Sequence, residues 1–304
     1  MDWLAGRTDP RYTPAAFFLH FAPEYHAGTK AAQRHLEFFR ATDMDFVKIQ
    51  FEQTYKPQPF LKTPADWAKL PLRPMEDYEP LLVAVREIVK AAKRDALILM
   101  TLYSPFMHAG HAATAPVLKR HLEEDPERVK KGLEILTEGQ MRFVRACIRE
   151  GVDGFYLSTQ GSEKERYSSG ETFARYIQPS DLVAMQEVTR QCPFNILHVC
   201  DYVAPYANYD AVLRYPGQVV NANTRLTGGE MNAGAIAKAF GRPYMGGMDR
   251  HGVLVKGSEA EVRAEVRRVV KSAPRQFLLG ADCTVAAETD WKRLRVAIDA
   301  AHQG

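Results

Sequence analysis

No apolar run in this chain approaches the ~20 residues needed to cross a bilayer, and its opening, MDWLAGRTDPRYTP, lacks the basic-then-apolar layout of a secretory leader. Both absences point to a cytosolic protein without a membrane partner. Cysteine is scarce, with Cys147, Cys192, Cys200 and Cys283 the whole complement. In a reducing compartment such thiols are expected to be buried, metal-bound or reactive rather than paired. Charge of one sign is also missing: 40 basic and 37 acidic side chains are interspersed, for a net charge of +3. That excludes the basic stripe with which nucleic-acid binders displace counterions. There is no P-loop, no G-x-G-x-x-G after a strand and no G-x-S-x-G elbow, so nucleotide-binding and serine-hydrolase readings have no support. Neither a Ser/Gly-rich linker nor a composition shift divides the 304 residues, and one domain over 1–304 is expected.

What is present is an ordinary soluble composition, 46% apolar and 25% charged, with material for a substantial core. Short apolar runs recur with amphipathic segments between them, which is the pattern of repeated βα units. The runs are 15–21 (AAFFLHF), 46–51 (FVKIQF), 96–102 (ALILMTL), 154–158 (GFYLS), 195–200 (NILHVC), 218–222 (QVVNA), 243–247 (PYMGG) and 276–281 (QFLLGA). Helical periodicity falls at 30–42, 78–93, 126–150, 179–191, 229–240, 259–272 and 290–302, and the Pro-bounded stretch 206–215 is too short for more than a brief helix. Eight runs with helices between them predict an α/β protein of the (β/α)8 TIM-barrel class, in preference to a doubly wound open sheet. Residues 53–79, with five prolines and no period, read as a long loop over the barrel mouth and a candidate lid. The charge-dense stretch 119–131 reads as the solvated face and start of a helix.

In such a barrel the functional groups sit at the C-terminal ends of the strands. The fifth run ends in Leu197-His198-Val199-Cys200, and alternation on a strand turns His198 and Cys200 to the same side. The eighth run ends in Ala281-Asp282-Cys283, at the same end of a closed barrel. One imidazole and two thiolates can therefore converge as a zinc site with an open fourth position, the catalytic arrangement. The alternative is a hydrogen-bonded core histidine and two small buried thiols.

The segments ILHVC (196–200), MGGMDRHGVLVKG (245–257) and LLGADCTV (278–285) resemble the uroporphyrinogen decarboxylase superfamily, and within it the cobamide-dependent methyltransferases of the methylcobamide:coenzyme M type. The resemblance implies a (β/α)8 barrel with zinc on His198, Cys200 and Cys283. It further implies a methyltransferase that works with a corrinoid (cobalamin); no corrinoid-binding module is recognisable here, so a separate corrinoid protein is the expected partner. Two positions depart from that pattern: Asp201 stands where the methyltransferases usually have glycine, and Arg250 where proline commonly follows the aspartate matched by Asp249. The decarboxylase itself carries an arginine-rich segment after its first strand for a substrate with many carboxylates. The corresponding FLHFAPEYHAG (18–28) has no arginine, which weighs against that substrate. The competing readings are a decarboxylase of another tetrapyrrole or carboxylate, and a non-catalytic zinc-containing accessory barrel.

Further candidates lie at strand ends. His20, Gln50, Tyr103, Asn221 and Tyr202 are expected to line the mouth and bind the small-molecule methyl donor or thiol acceptor, and Glu52 falls in the same zone. Gln160 is read as a hydrogen-bonding neighbour or weak fourth ligand of the metal, against an ordinary turn role. Asp249 is read as orienting His198 or holding a substrate donor, against a helix cap. His251 reads as a loop residue. His108 and His111 have a metal-compatible spacing weakened by Gly110 and by the lack of a nearby carboxylate. Tyr202, Tyr206 and Tyr209 form either an aromatic wall for a ligand or ordinary packing under a loop.

Overall fold

The structure is a computed structural model describing Leu4, Asp9 and residues 12–304. Most of MDWLAGRTDPR, on which the expectation of no leader partly rests, lies outside the described residues. Among the described residues no helix is long and apolar enough to cross a membrane.

The strands in chain order are β1 (Phe46–Ile49), β2 (Leu97–Tyr103), β3 (Gly154–Thr159), β4 (Ile196–Val199) and β5 (Val219–Asn221). A short hairpin of β6 (Arg225–Leu226) and β7 (Gly229–Glu230) comes next, and then β8 (Tyr244–Met248) and β9 (Phe277–Ala281). All but the hairpin join one parallel seven-stranded sheet, in the order β1-β2-β3-β4-β5-β8-β9. Its strands are buried along nearly their whole length, which is why the sequence shows continuous apolar runs instead of alternation. Helices α1 (Gly28–Thr42), α2 (Glu79–Ala92), α5 (Pro126–Glu150), α6 (Gln178–Gln191), α7 (Ala233–Phe240), α9 (Glu259–Ser272) and α10 (Trp291–His302) take up the predicted helical stretches. They start and stop on local chemistry. The Asp125 side chain accepts from Arg128 N to begin α5, Gly151 at φ +99° ends it, and a Ser258–Glu261 capping box begins α9.

The expectation of eight strands needs correction. The first run, 15–21, makes no continuous ladder: it touches the sheet through isolated parallel bridges, Ala15 to Leu279 and Leu19 to Val285. On its other side Asp45 N donates to Ala15 O at 3.1 Å. Three further departures are local. Residues 105–124 form two helices, α3 (Pro105–Ala113) and α4 (Ala115–Glu124), separated by Thr114 at φ +68°. The stretch 225–230 is the hairpin and not the start of α7, which begins only where the Asn232 side chain accepts from Ala235 N. Segment 53–79 is pinned rather than lid-like: Trp67 is fully buried and donates Nε1–H to His121 Nδ1 at 3.1 Å. Its ring also lies 2.5 Å from where a Cβ on Gly132 would stand, so α5 needs glycine there.

Asp181 on α6 is fully buried, accepting from the hydroxyls of Thr159 (2.9 Å) and Tyr215 (3.2 Å). Burial pushes its carboxyl up to about 7, against the pull of those hydrogen bonds. The folded chain thus keeps a proton that the unfolded chain has lost between about pH 4 and 7, so Asp181 makes stability fall as pH rises through that window. Asp181→Asn is expected to remove a slope of about 1 kcal/mol per pH unit from the unfolding free energy there. Denaturant titrations over that range test it; parallel wild-type and variant curves would show the carboxyl ionised throughout.

Candidate functional site

Residues two apart on a strand share a face, and the inward faces of adjacent strands form one wall. Lys48 and Gln50 on and after β1, Thr101 and Tyr103 on β2, Tyr156, Ser158 and Gln160 along β3, and His198 and Cys200 along β4 all face a cavity of about 380 Å³. Cys283, just beyond β9, lines the same cavity.

His198, Cys200 and Cys283 are buried, and their donor atoms all lie within 4.8 Å of one another. Cys283 Sγ is 3.5 Å from His198 Nε2. An ion with ligands at 2.0–2.3 Å would hold its donors roughly 3.3–3.8 Å apart, so this contact already has the required spacing. Contact with Cys200 holds the Cys283 thiol well below the ordinary thiol range in spite of burial, and the nearness of His198 and Arg250 acts in the same direction. The same contact, together with burial, pushes Cys200 well above it. Gln160 Nε2 donates to Cys200 Sγ at 3.3 Å.

Asn221 fixes which imidazole nitrogen is free. It sits opposite His198 in the β4–β5 register, with its amide nitrogen donating to the carbonyls of Met245 and Ala281, each at 3.0 Å. Those two bonds orient the amide and leave Oδ1 to accept from the Tyr156 hydroxyl at 2.6 Å and from His198 Nδ1 at 2.5 Å. The imidazole proton therefore resides on Nδ1, and Nε2 presents its lone pair toward Cys283. An imidazole lone pair and two sulfurs, with the tautomer already selected, fit a zinc ion in donor type and arrangement.

The two departures from the methyltransferase pattern prove to be partners. Arg250 Nη1 pairs with Asp201 Oδ1 at 2.6 Å and with Asp282 Oδ2 at 3.1 Å, and Arg250 N donates to Asp282 Oδ1 at 2.8 Å. Asn223 Nδ2 donates to both carboxylates, at 2.7 and 2.9 Å. Asp201 follows Cys200 and Asp282 precedes Cys283, so one guanidinium ties together the two strand ends that carry the sulfur donors. Gly247, at φ +93° with Val269 Cγ1 2.4 Å from where its Cβ would be, lets β8 turn toward that position against α9.

Two expectations are corrected. Asn221 does not face the cavity to bind substrate; it is fully buried behind His198. Asp249 neither orients His198 nor lines the cavity: its carboxylate pairs with Arg225 and accepts from His251 N at 2.9 Å. The position beside His198 is taken by Asn221 because only a neighbouring strand in register reaches it. His20, Gln50, Tyr103 and Tyr202 do line the cavity, Tyr202 at its rim with 78% exposure. His20 Nδ1 meets the Glu52 carboxylate at 2.9 and 3.1 Å. Tyr206 and Tyr209 are buried packing residues. His108 is buried among the rings of Phe51, Tyr55 and Tyr103, and burial drops its imidazole to about 3. Of the described residues only His198, Cys200 and Cys283 form a group able to hold a metal ion.

Lys48 escaped notice in the sequence. Its ammonium lies 4.7 Å from the Phe18 ring and 4.6 Å from the Tyr156 ring, facing the cavity with the residue only 5% exposed. Burial lowers it to about 8, while the nearby Cys283, Glu52 and Cys200 oppose the shift. The signal was a lysine in the middle of FVKIQF, where both faces of a strand are expected to be buried.

The sequence pattern of the uroporphyrinogen decarboxylase (URO-D) family matches residues 39–304. No curated protein matches the chain in sequence. Among solved structures, a methyltransferase from Methanosarcina mazei superposes with a TM-score of 0.77 at 14% identity, over 98% of this chain and 96% of that one. A B12-independent methionine synthase from Shewanella sp. W3-18-1, in complex with selenomethionine, gives 0.58 at 13% identity over 96% of each chain. A putative vitamin-B12-independent methionine synthase from Listeria monocytogenes gives 0.55 at 13% identity over 95% of this chain and 98% of that one. At such identities the likeness is one of fold.

Proposed function

The chain belongs to the uroporphyrinogen decarboxylase family, and from its three-donor site we propose that it is a zinc-dependent methyltransferase, exchanging a methyl group between a corrinoid on a separate protein and a thiol or methylated small molecule. The observation that carries this reading is the meeting of His198 Nε2, oriented by the bond from Nδ1 to Asn221, and the sulfurs of Cys200 and Cys283 at one wall of a cavity. A zinc ion bound there would supply a Lewis acid with one position open to a thiol, lowering that thiol's pKa. The chain's own residues would do the rest. Asn221 holds His198, Gln160 donates to Cys200, and Arg250 steadies the strand ends.

The cavity, at about 380 Å³, lies toward the small end of the range for small-molecule sites. Among the described residues Lys48 and Arg166 are its only lysine and arginine, too few for a substrate bearing many carboxylates. The reading includes one domain, a closed (β/α)8 barrel with the run 15–21 completing the ring between β9 and β1, and a cytosolic location. The methyltransferase and methionine synthases of like fold support methyl transfer, and the synthases, being B12-independent, do not bear on the corrinoid.

Cobalt(II) substitution tests it. The substituted protein is expected to develop thiolate-to-cobalt absorption when a thiol is added, and the zinc protein to demethylate methylcobalamin in the presence of that thiol. Absence of both overturns the reading. The Lys48 ammonium, which meets two aromatic rings and has no ion-pair partner among the described residues, favours a second reading, a decarboxylase that seats a carboxylate there without metal. Metal analysis separates the two, since only the first needs zinc.

A further inference from the structure

The same cavity holds a second piece of chemistry. His20 stands where the first run meets the loop beyond β9, one residue past the Leu19–Val285 bridge, and Glu52 continues the inward alternation of Lys48 and Gln50. Both line the cavity that Cys200 and Cys283 line. The Glu52 carboxylate is largely buried. Although burial pushes it up, the hydrogen bond from His20, helped by the nearby His26 and Lys48, holds it below the ordinary glutamate range. An ionised carboxylate only accepts, so the bond of 2.9 Å assigns the proton to His20 Nδ1. In the neutral imidazole the lone pair is then on Nε2, and no described residue hydrogen-bonds to it. A carboxylate holding one nitrogen while the other is free is the arrangement of an oriented general base.

We infer that His20, held by Glu52, is the base that removes the proton from a thiol substrate as it enters the cavity. The inference rests on the methyltransferase reading and adds a catalytic residue to it. The S–H bond breaks, its electron pair stays on sulfur, and the proton joins His20 Nε2. The imidazolium so formed is balanced by Glu52, and the proton passes to solvent from a side chain 44% exposed. The charged and titratable groups sharing this space are Glu52, Lys48, His111, Arg166, His198, the hydroxyls of Tyr103, Tyr156 and Tyr202 and the sulfurs of Cys200 and Cys283, with His26 beside Glu52.

The experiment follows the rate at which cobalt-substituted protein takes up two thiols at pH 8, read by stopped-flow absorption. 2-Mercaptoethanol is mostly protonated at that pH, whereas thiophenol is ionised. His20→Gln and Glu52→Gln are expected to slow uptake of 2-mercaptoethanol by about a hundredfold and to leave thiophenol nearly unchanged. Added imidazole is expected to restore part of the loss in His20→Gln. Equal slowing of both thiols without rescue, or an unchanged rate with 2-mercaptoethanol, overturns the inference alone. A wild-type protein that gives no absorption band with either thiol overturns the methyltransferase reading, and this inference with it.

Discussion

Cys283→Ser is expected to abolish stoichiometric zinc in the purified protein, with metal affinity falling by roughly three orders of magnitude. A serine hydroxyl does not ionise near neutral pH, so the site loses an anionic donor and is left with one sulfur and one imidazole. The fold should hardly notice: the side chain packs against His198 and the cavity, and replacing sulfur by oxygen removes little buried apolar surface. The thermal midpoint of the metal-free variant should stay close to that of the metal-free wild type. Elemental analysis with chelator competition makes the measurement, and Cys200→Ser should behave alike. If Cys283→Ser retains zinc at wild-type affinity, the ion is held elsewhere and the proposed chemistry loses its basis.

Asn221→Leu is expected to be more damaging to the fold than any change on the cavity wall. It leaves the Tyr156 hydroxyl, His198 Nδ1 and the carbonyls of Met245 and Ala281 without the partner each has now. Buried groups stranded in this way cost about 1–3 kcal/mol each, with partial relaxation, so a loss of at least 3 kcal/mol is expected. The His198 ring would also be free to turn, and zinc affinity should drop by about ten- to a hundredfold in whatever protein folds. Urea unfolding of the metal-free protein reads the first effect, and chelator competition the second. Stability within 1 kcal/mol of wild type would mean that other partners satisfy these groups.

Much of this architecture was legible because strands buried on both faces declare themselves as uninterrupted apolar runs. His198 and Cys200 could be paired from the sequence because alternation is a local rule. What escaped was whatever depends on register between strands. Asn221 reads as one more polar residue at a strand end, and only its position opposite His198 turns it from a substrate contact into the residue that sets a tautomer. Asp249 has its partner 24 residues away on the hairpin, a distance no local pattern conveys. Lys48 was overlooked because a cation in an apolar run looks like an interruption until the cavity in front of it is seen. The run 15–21 has a strand's composition, yet it is fastened by separate bridges, which composition cannot distinguish from a ladder.

The pairing of Arg250 with Asp201 bears on how this lineage can change. With the side chains of Arg250, Asp201 and Asp282 at 14%, 8% and 10% exposure, losing one member leaves its counterpart charged and poorly hydrated, at a cost of about 3–5 kcal/mol. Glycine at 201 or proline at 250 alone is therefore expected to destabilise the chain, and the two together still strand Asp282, which loses both the guanidinium and the Arg250 N–H. The site is held by epistasis among three residues: a change at Asp201, Arg250 or Asp282 is expected to persist only with compensating changes at the other two.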